Sequence, residues 1–512
     1  MTGQPPHSHP NARRRLLQGA ASLCFAPSLL RFALAADVQR FDLGIASGHP
    51  SANGMVLWTR ITGGNLPEQV EVRWEVARDE AFTQIAARGV EIAQGAWAHS
   101  VHAEPTGLEP GRRYWYRFSA LGQQSATGRT ATAPAPGSPA TLNFAIASCQ
   151  RWDAGHFAAW RHMALEDLDV IMFLGDYIYE YSSRPDALRR HEGTVANTLD
   201  SYRARYATYK SDPALQAAHA SAPWLMVWDD HEVDNDYANL QSQNLEAHFA
   251  LRRAAAYQAY WEHMPFPKSA RPKGADMRIT GRLDWGTLAR IHLLDDRQYR
   301  DHQACTKAGK GGSNTVKFKD CAELADPKRS LLGTEQEAWL ASGWDSTRPW
   351  NLLAQQTLMA RFSWRDTANN GGEYWTDGWD GYAASRNRLL STVADKKLSG
   401  VVVLGGDVHS NYVADLKPNF DDPSSPVVAT EFCGTSITST SLPQHRIDAA
   451  RQFNPHVLYG RGDQRGYMRF ALNAQQLQVQ VRVVTDALNI NSDIATAAQF
   501  RVEASKPGAV AV

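Results

Sequence analysis

The N-terminal quarter of the chain carries short segments in which hydrophobic and polar residues alternate. The clearest are "MVLWTRI" (55–61), "QVEVRWEV" (69–76) and "RRYWYRF" (112–118), each rich in valine or aromatic residues and separated by turn residues. Alternation with a period of two over such lengths is typical of β-strands. The pattern therefore predicts an all-β domain over residues 37–133.

A stretch rich in proline, glycine, serine and alanine, "APAPGSPA" (133–140), is suited to a linker. After it come a strand "LNFAIAS" (142–148), a helically spaced segment "GHFAAWRHMALEDL" (155–168) and a second strand "DVIMFLG" (169–175). A strand–helix–strand unit indicates a layered α/β domain, which we assign to residues 141–512. The further predicted elements are the strands "WLMVW" (224–228), "ARIHLL" (289–294), "WNLLA" (350–354) and "GVVVLGG" (400–406) and the helix "HFALRRAAAYQAYWEHM" (248–264).

Charge and the extreme N-terminus narrow the class of protein. The 512 residues include 53 Lys+Arg and 53 Asp+Glu, so no net basic charge marks a nucleic-acid-binding protein. Residues 1–36 begin with a basic stretch, "RRRLLQ", which resembles the twin-arginine signature, and end in a small-x-small cleavage site, "ALA". We expect a signal peptide that engages the twin-arginine export machinery, and a periplasmic or secreted mature protein. No later segment approaches the about 20 apolar residues of a membrane span.

Chemically active side chains follow four of the predicted strands, at the point where each strand ends. Cys149 and Asp176 follow the first two strands of the α/β domain, and "DDHE" (229–232) and "GGDVH" (405–409) follow two later ones. Sites in such sheets lie outside the carboxyl ends of the strands, so we expect these residues to converge. Clustered carboxylates remain ionised together only when a cation lies between them. Two metal ions roughly 3.5–4 Å apart can polarise a phosphoryl oxygen and generate hydroxide near neutral pH, so the pattern predicts a two-metal site.

Simpler explanations exist for each of these residues taken singly. An aspartate after a strand is often a helix cap or turn residue, and a cysteine there is often a buried apolar residue. The coincidence of four strand ends favours a metal site. Two other functions remain open: Cys149 could be a thiol nucleophile paired with His231 or His409, or the chain could be an exported module that binds calcium without catalysis. Cys305 and Cys321 flank a polar loop and could form a disulfide in an oxidising compartment.

Taken together, the motifs resemble those of the alkaline phosphatase D (PhoD) family of metallophosphatases. The segments that carry the resemblance are "FDLGIASGHPSANGMVLWTRI" (41–61), "LGDYIYE" (174–180), "VWDDHEV" (227–233), "LDDRQYR" (294–300) and "LGGDVHSNY" (404–412). The family implies a four-layer α/β/β/α catalytic domain. "LEPGRRYWYRF" (108–118) resembles a strand of a fibronectin-III/Ig-like sandwich, which we expect to precede the catalytic domain. The implied activity is hydrolysis of phosphomonoesters, phosphodiesters or both, with a phospholipase D-type phosphodiesterase as the alternative.

The resemblance also implies metals and ligands. The expected pair is Fe(III) and Ca(II), with another divalent pair (Zn, Mn or Co) as the alternative. The iron ligands carried over onto this sequence are Cys149, Asp176, Tyr179 and His409, and the calcium ligands are Asp176, Asp230 and Asp407. Thiolate and phenolate suit a transition metal, whereas carboxylates suit calcium. Gln355 or Gln356, which follow a predicted strand, are the expected source of a further ligand.

In the implied reaction, a metal-held hydroxide attacks phosphorus in line. His231, next to the catalytic Asp230, is predicted to protonate the leaving alkoxide, and Glu232 or Asp229 to orient its imidazole. Arg297 is expected either to contact the phosphate or to form a packed ion pair. The Trp- and Tyr-rich stretch 369–387 is expected to shape the pocket, whose depth decides between small and bulky substrates.

Overall fold

The structure, a computed structural model, describes residues 39–512. The predicted signal peptide at residues 1–36 and its twin-arginine motif lie outside the described residues. Within the described part of the chain, no helix combines the length and apolar character needed to cross a lipid bilayer.

The N-terminal region is all-β. Val70, Val72 and Val76 of its third strand are buried while polar residues between them are exposed, as the alternating pattern predicts. They pack with Leu57 and Phe118 in a core shared by two layers of strands, which form a sandwich. The strands of this region are β1 (Ile45–Ser51), β2 (Gly54–Arg60), β3 (Gln69–Ala77), β4 (Ile85–Gln94), β5 (Ser100–Ala103), β6 (Arg113–Ala120), β7 (Gln123–Gln124) and β8 (Gly128–Ala131).

The remaining strands and the α-helices of the described residues lie in the part of the chain predicted to be an α/β domain. Its strands are β9 (Leu142–Ala147), β10 (Val170–Leu174), β11 (Trp224–Val227), β12 (Gly281–Trp285), β13 (Ala289–Leu293), β14 (Thr315–Lys317), β15 (Trp350–Ala354), β16 (Glu373–Trp375), β17 (Val401–Gly405), β18 (Asn411–Leu416), β19 (Ala429–Cys433), β20 (Val457–Arg461), β21 (Gly466–Leu472), β22 (Gln476–Val484), β23 (Ile494–Glu503) and β24 (Lys506–Ala511). The α-helices among residues 39–512 are α1 (Ala158–Met163), α2 (Leu199–Lys210), α3 (Pro213–Ser221), α4 (Phe249–His263), α5 (Thr334–Gly343), α6 (Ala383–Asp395) and α7 (Gln444–Arg451).

Two large sheets run through the molecule. The ten-stranded sheet has the order β24-β23-β22-β21-β9-β10-β11-β1-β2-β5, and the seven-stranded sheet has the order β12-β13-β15-β17-β19-β18-β20. One layer of the N-terminal sandwich therefore continues the ten-stranded sheet, through a parallel pairing of β1 with β11 at Gly48 and Trp224. The other layer is a separate sheet, in which β4, β3, β6 and β7 are neighbours and β8 pairs with β6.

Burial on both faces of the central strands creates the four layers. Leu352 of β15 and Val402 of β17 pack in the core that the two sheets share, whereas Leu353 and Val403 pack in the core beneath α5, α6 and α7. Helices α1 to α4 cover the outer face of the ten-stranded sheet. Strands buried on both faces read as continuous hydrophobic runs, as these do in the sequence. The architecture is the four-layer α/β/β/α arrangement that the resemblance implies.

Two parts of the secondary structure differ from the sequence-based prediction. Helix α1 ends at Met163, earlier than the predicted end at residue 168, because Leu165 lies in a turn and is 82% exposed. Strands β12, β14, β16 and β18 to β24 lie outside the predicted strands. In β22, Leu477, Val479 and Val481 alternate with residues that are less buried, so its pattern is as clear as that of β3.

Candidate metal centre

The predicted ligands meet at the ends of strands from both large sheets. Cys149 follows β9, Asp176 follows β10, and Asp407 and His409 follow β17. Ligand atoms of Cys149, Asp176 and His409 lie within 4.8 Å of one another. A second group within the same distance consists of Asp176, Asp229, Asp230 and Asp407. Asp176 belongs to both groups, so it is the residue that could contact both ions of a metal pair.

Four of these residues adopt an unusual backbone conformation. The φ angles of Cys149, Asp176, Asp407 and His409 are 57°, 59°, 61° and 54°, in the left-handed region. Residues other than glycine rarely adopt it, and such a residue costs on the order of 1–3 kcal/mol. Before Asp176 stands Gly175 at φ 103°, where an added Cβ would lie only 2.4 Å from Cβ of Asp229. The strand ends therefore turn sharply and approach closely enough to bring the carboxylates together.

Tyr179 and His409 complete the first group. The Tyr179 hydroxyl donates to Asp176 Oδ2 at 2.7 Å and lies 3.1 Å from His409 Nε2. His409 Nδ1 lies 2.9 Å from the carbonyl oxygen of Thr440, so Nδ1 carries the proton and Nε2 is free to bind a metal. Burial, together with the Asp176 charge, raises the pKa of both Tyr179 and Cys149 well above their usual values. A cation beside them would favour the phenolate and the thiolate.

The second group consists of closely spaced carboxylates, three of which lie within 4.0 Å of the Arg297 guanidinium. Burial, with repulsion from neighbouring carboxylates, raises the pKa of Asp229 and Asp407 well above the usual range. Burial acts the same way on Asp230, but the positive charges of Arg297 and His231 outweigh it and hold the pKa of Asp230 below its usual value.

Two carboxylate oxygens are left without partners in this cluster. Asp176 Oδ1 and Asp229 Oδ2 are buried and have no hydrogen-bond donor among residues 39–512. A buried unpaired carboxylate oxygen is costly, and a metal ion is one of the groups that satisfy it. Thiolate, phenolate and imidazole on one side, with carboxylates on the other, fit a transition metal next to a hard cation. The residues present therefore fit the implied metal pair.

Arg297 lies in a buried ion-pair network. Its side chain is 1% exposed, Nε donates to Asp229, and Nη1 donates to Asp377 Oδ2 at 2.6 Å. Arg300 and Gln303 bind the other carboxylate oxygen of Asp377. Of the two expectations for Arg297, the structure contains the ion pair, with the buried Asp229 and Asp377. Its Nη2 also lies 3.8 Å from Asp230 Oδ2 and 4.0 Å from Asp407 Oδ2. Asp377, which anchors the network, is absent from the predicted site.

His231 is oriented by Glu180 and not, as predicted, by Glu232 or Asp229. His231 Nδ1 lies 2.7 Å from Glu180 Oε2. Burial alone would lower the pKa of His231, but the charges of Glu180 and Asp230 raise it well above the usual value. Glu180 follows Tyr179 directly in the "LGDYIYE" motif, so this adjacency in the sequence is the signal that could have identified it.

Glu232 instead joins the ends of two strands. Its carboxylate accepts the backbone N–H groups of Asp176 at 3.1 Å, Tyr177 at 2.6 Å and Asp229 at 2.9 Å. Burial, then the Asp176 charge, raises the pKa of Glu232 to about 8. The role of Glu232 in the structure is to fix the loops that carry the ligands of β10 and β11.

Gln355 and Gln356 hold the turn after β15. Gln355 Oε1 accepts from the backbone N–H of Thr357 at 3.1 Å, and its amide donates to the Thr357 carbonyl. Gln356 accepts from the Asp296 N–H at 2.8 Å and donates to Leu294 O at 2.9 Å. Both amides are therefore occupied by the backbone, and the expected further ligand does not come from them. Thr357 is the residue of this turn that contacts a predicted ligand: its hydroxyl donates to Asp407 Oδ2 at 2.8 Å.

A cavity of about 880 Å³ opens above the carboxylates. One wall is the two-stranded ribbon of β14 and β16, which presents Thr315 and Trp375 to the cavity. Cys305 and Cys321 form a disulfide, with Cα atoms 6.1 Å apart, that closes the loop containing β14. Part of the stretch 369–387 thus lines the cavity, as expected.

Comparison with known proteins decides the family. The family described as "PhoD-like phosphatase" matches residues 144–481, and "PhoD-like phosphatase, N-terminal domain" matches residues 27–134. The chain belongs to the PhoD-like phosphatase family. It is 41% identical to "Alkaline phosphatase D" of Bacillus subtilis (strain 168), in an alignment that covers 97% of this chain and 88% of that protein.

Solved structures agree with the PhoD-like assignment. The structure titled "Structure of PhoD" has a TM-score of 0.88 at 41% identity, covering 93% of this chain and 92% of that chain. A purple acid phosphatase, PPD1, from yellow lupin (Lupinus luteus) seeds has a TM-score of 0.55 at 10% identity, covering 90% and 74% respectively, and shows the likeness of the fold alone. As a PhoD-like phosphatase, the chain is a phosphoric ester hydrolase with a metallophosphatase fold. This excludes the non-catalytic calcium-binding module.

Proposed function

We propose that the chain is an exported, metal-dependent hydrolase of phosphomonoesters, phosphodiesters or both. The observation that carries the proposal is the pair of ligand groups that share Asp176, one containing Cys149 and His409 and the other containing carboxylates only. This asymmetry supports Fe(III) held by Cys149, Asp176, Tyr179 and His409, and Ca(II) held by Asp176, Asp230 and Asp407. When bound, the metal pair would neutralise charge on the phosphoryl oxygens and lower the pKa of water.

In this reaction the side chains of the protein donate a proton to the leaving group and hold the proton donor in position. Water adds to phosphorus, the ester P–O bond breaks, and the leaving oxygen takes a proton from His231. The attacking water releases one proton to solvent, and His231 takes up a proton from solvent before the next turnover. Because Nδ1 of His231 is held by Glu180, the proton comes from Nε2, on an imidazole that lines the cavity. The Tyr179 ring lies 4.1 Å from the His231 ring, centre to centre, and limits its rotation. The same arrangement disfavours a thiol nucleophile, since Cys149 is 1% exposed and burial raises its pKa.

The decisive assay compares 4-nitrophenyl phosphate with bis(4-nitrophenyl) phosphate at alkaline pH, after the metal content of the protein has been measured. We expect hydrolysis that is lost on chelation and restored by iron with calcium. Asp230→Asn should abolish it, whereas Asp366→Asn, an exposed aspartate outside the centre, should not. The ratio of the two rates assigns the monoester or diester class. Metal-loaded protein that hydrolyses neither ester contradicts the proposal for these substrates, and a phospholipid diester is then the next assay.

Export is tested separately, since "RRRLLQ" and "ALA" support it independently of the site. We expect residues 1–36 to direct a folded reporter out of the cytoplasm, and replacement of Arg13, Arg14 and Arg15 by lysine to stop transport. Transport that survives this replacement would contradict the twin-arginine route.

A further inference from the structure

The cavity above the metal centre is much larger than a phosphate group requires. Its volume of about 880 Å³ falls in the range of roughly 300–1,000 Å³ typical of pockets that enclose drug-sized ligands. Asp176, Asp230 and Asp407 belong to its metal-binding part, while the loop after β15, strand β16 and helix α7 supply much of the remaining wall. The space beyond the phosphate is therefore available to an organic substituent of the ester.

A row of aromatic rings leads away from the centre along one wall. Tyr412, which follows the ligand His409 by three residues, lies 5.1 Å from Phe362, and Phe362 lies 5.0 Å from Trp364, measured between ring centres. Tyr412 and Phe362 are buried, but Trp364 is half-buried and lines the cavity. Trp375 of β16, also half-buried, lines it as well. Trp364 is thus the accessible ring at the outer end of the row.

Arg446 of α7 lies over that outer ring. Its guanidinium carbon is 5.7 Å from the centre of the Trp364 ring, and the side chain lines the cavity from an exposed position. In the described part of the chain, no carboxylate oxygen lies within 4.0 Å of its guanidinium nitrogens. The other arginine of this region, Arg365, is paired with Glu373 at 3.4 Å. Arg446 therefore offers a positive charge, with no ion-pair partner among the described residues, next to a half-buried indole that lines the cavity.

We propose that Trp364 and Arg446 form a distal substrate subsite, which binds a planar ring on the indole and a second anionic group on the guanidinium. This inference rests on the proposed function and specifies its substrate class: a phosphodiester whose retained substituent carries a ring and a further negative charge. Stacking on an aromatic side chain is tolerant of the identity of the ring, and an arginine binds phosphate or carboxylate with two parallel hydrogen bonds. A small monoester fills only the metal end of the cavity and gains nothing from the subsite.

Three diesters that release the same 4-nitrophenol separate the two contributions. They are methyl 4-nitrophenyl phosphate, thymidine 5′-(4-nitrophenyl phosphate), and the latter with an added 3′-phosphate. We expect kcat/KM to rise about 5-fold or more from the first to the second, the lower end of what stacking on an aromatic side chain contributes. The added anion should raise it further, about 3-fold or more at low ionic strength, and this second gain should shrink as salt is added.

The variants assign each gain to a residue. Trp364→Leu should remove the gain due to the ring, and Arg446→Gln should remove the gain due to the 3′-phosphate, with Arg446→Lys restoring part of it. Trp339→Leu is the matched control, because Trp339 is also half-buried beneath an arginine, Arg282 at 3.9 Å, but does not line the cavity.

The outcomes distinguish this inference from the proposed function. Equal kcat/KM for the three esters in the wild type, or an equal loss on all three in Trp364→Leu, overturns the subsite while leaving the hydrolase intact. Failure of metal-loaded wild type on every ester contradicts the proposed function itself. If Trp364→Leu fails to fold, competitive inhibition by thymidine 3′,5′-bisphosphate, compared between wild type and Arg446→Gln, tests the subsite: weaker inhibition of the variant supports it and equal inhibition refutes it.

Discussion

Replacing Glu180 by glutamine tests whether His231 donates the proton to the leaving group. In the wild type, a buried carboxylate oxygen lies 2.7 Å from His231 Nδ1, and the other oxygen of Glu180 accepts the Asn235 backbone N–H at 2.9 Å. Glutamine preserves the shape and, through its carbonyl oxygen, the bond to Asn235, but its NH2 group then faces Nδ1. The substitution therefore removes both the charge and the hydrogen-bond acceptor that hold the imidazole in its protonated form. Hydrogen bonds to charged groups contribute about 1.5–3 kcal/mol, which corresponds to about a 10- to 150-fold change in rate.

The leaving group reveals where that loss acts. An alkyl phosphate expels a strongly basic alkoxide that needs the proton, whereas 4-nitrophenolate leaves without one. We expect Glu180→Gln to lower kcat for the alkyl ester by about 10- to 150-fold, and for the 4-nitrophenyl ester by much less. Glu192→Gln, an exposed glutamate of the following loop, is the control. An equal loss on both esters, with metal content unchanged, would refute the assignment of His231 as the proton donor.

Three further predictions follow from other parts of the structure. Asp377→Asn should lower the free energy of unfolding by about 3–5 kcal/mol in urea titrations, because it removes the charge of the buried carboxylate that pairs with both Arg297 and Arg300; a loss below about 1 kcal/mol would mean that the network relaxes. Metals at a free concentration of 100 times their Kd should raise the free energy of unfolding by about 2.7 kcal/mol, measured through the increase in the thermal midpoint. Asp176→Asn should abolish this increase. Burial lowers the pKa of His102 from its ordinary value of 6.5 to about 3. At a pH between these two values, the unfolded chain therefore binds a proton at His102 and the folded chain does not. The free energy of unfolding should then fall by about 2 kcal/mol from pH 6.5 to about pH 5 through this residue, and His102→Gln should show a correspondingly shallower pH dependence.

Sequence predicts best the residues of the site whose position depends on a single strand and on the turn that follows it. Asp176 follows a hydrophobic run, and the rule that sites lie at the carboxyl ends of parallel strands places it near Cys149 and Asp230, which follow neighbouring strands of the same sheet. Its proximity to Asp407, which follows β17 of the other large sheet, depends on the packing of the two sheets. The family resemblance adds the roles of Cys149 and Tyr179. The hydrophobic runs likewise locate β9, β10, β11, β13, β15 and β17 to within a residue or two.

What sequence does not reveal depends on contacts between distant segments. The partner of His231 lies 51 residues earlier in the chain, and a partner of Arg297 lies 80 residues later. Both pairs form only after two loops have packed, and no spacing rule connects them. The continuation of the sandwich into the catalytic sheet is of the same kind, since it depends on a single pairing of Gly48 with Trp224.

At the predicted ligand positions, the left-handed backbone places the stability of the fold in conflict with metal binding. At Cys149, Asp176, Asp407 and His409, a glycine would relieve a conformational penalty, so the fold alone would favour the residue that cannot bind a metal. Selection for catalysis must therefore act against substitution of these four residues by glycine. A homologue that had lost its activity would therefore be expected to accumulate glycine or asparagine at these four sites first, while its hydrophobic core still matched that of the active enzymes. In a library sorted for folding rather than turnover, the same four positions should stand out by enrichment of glycine.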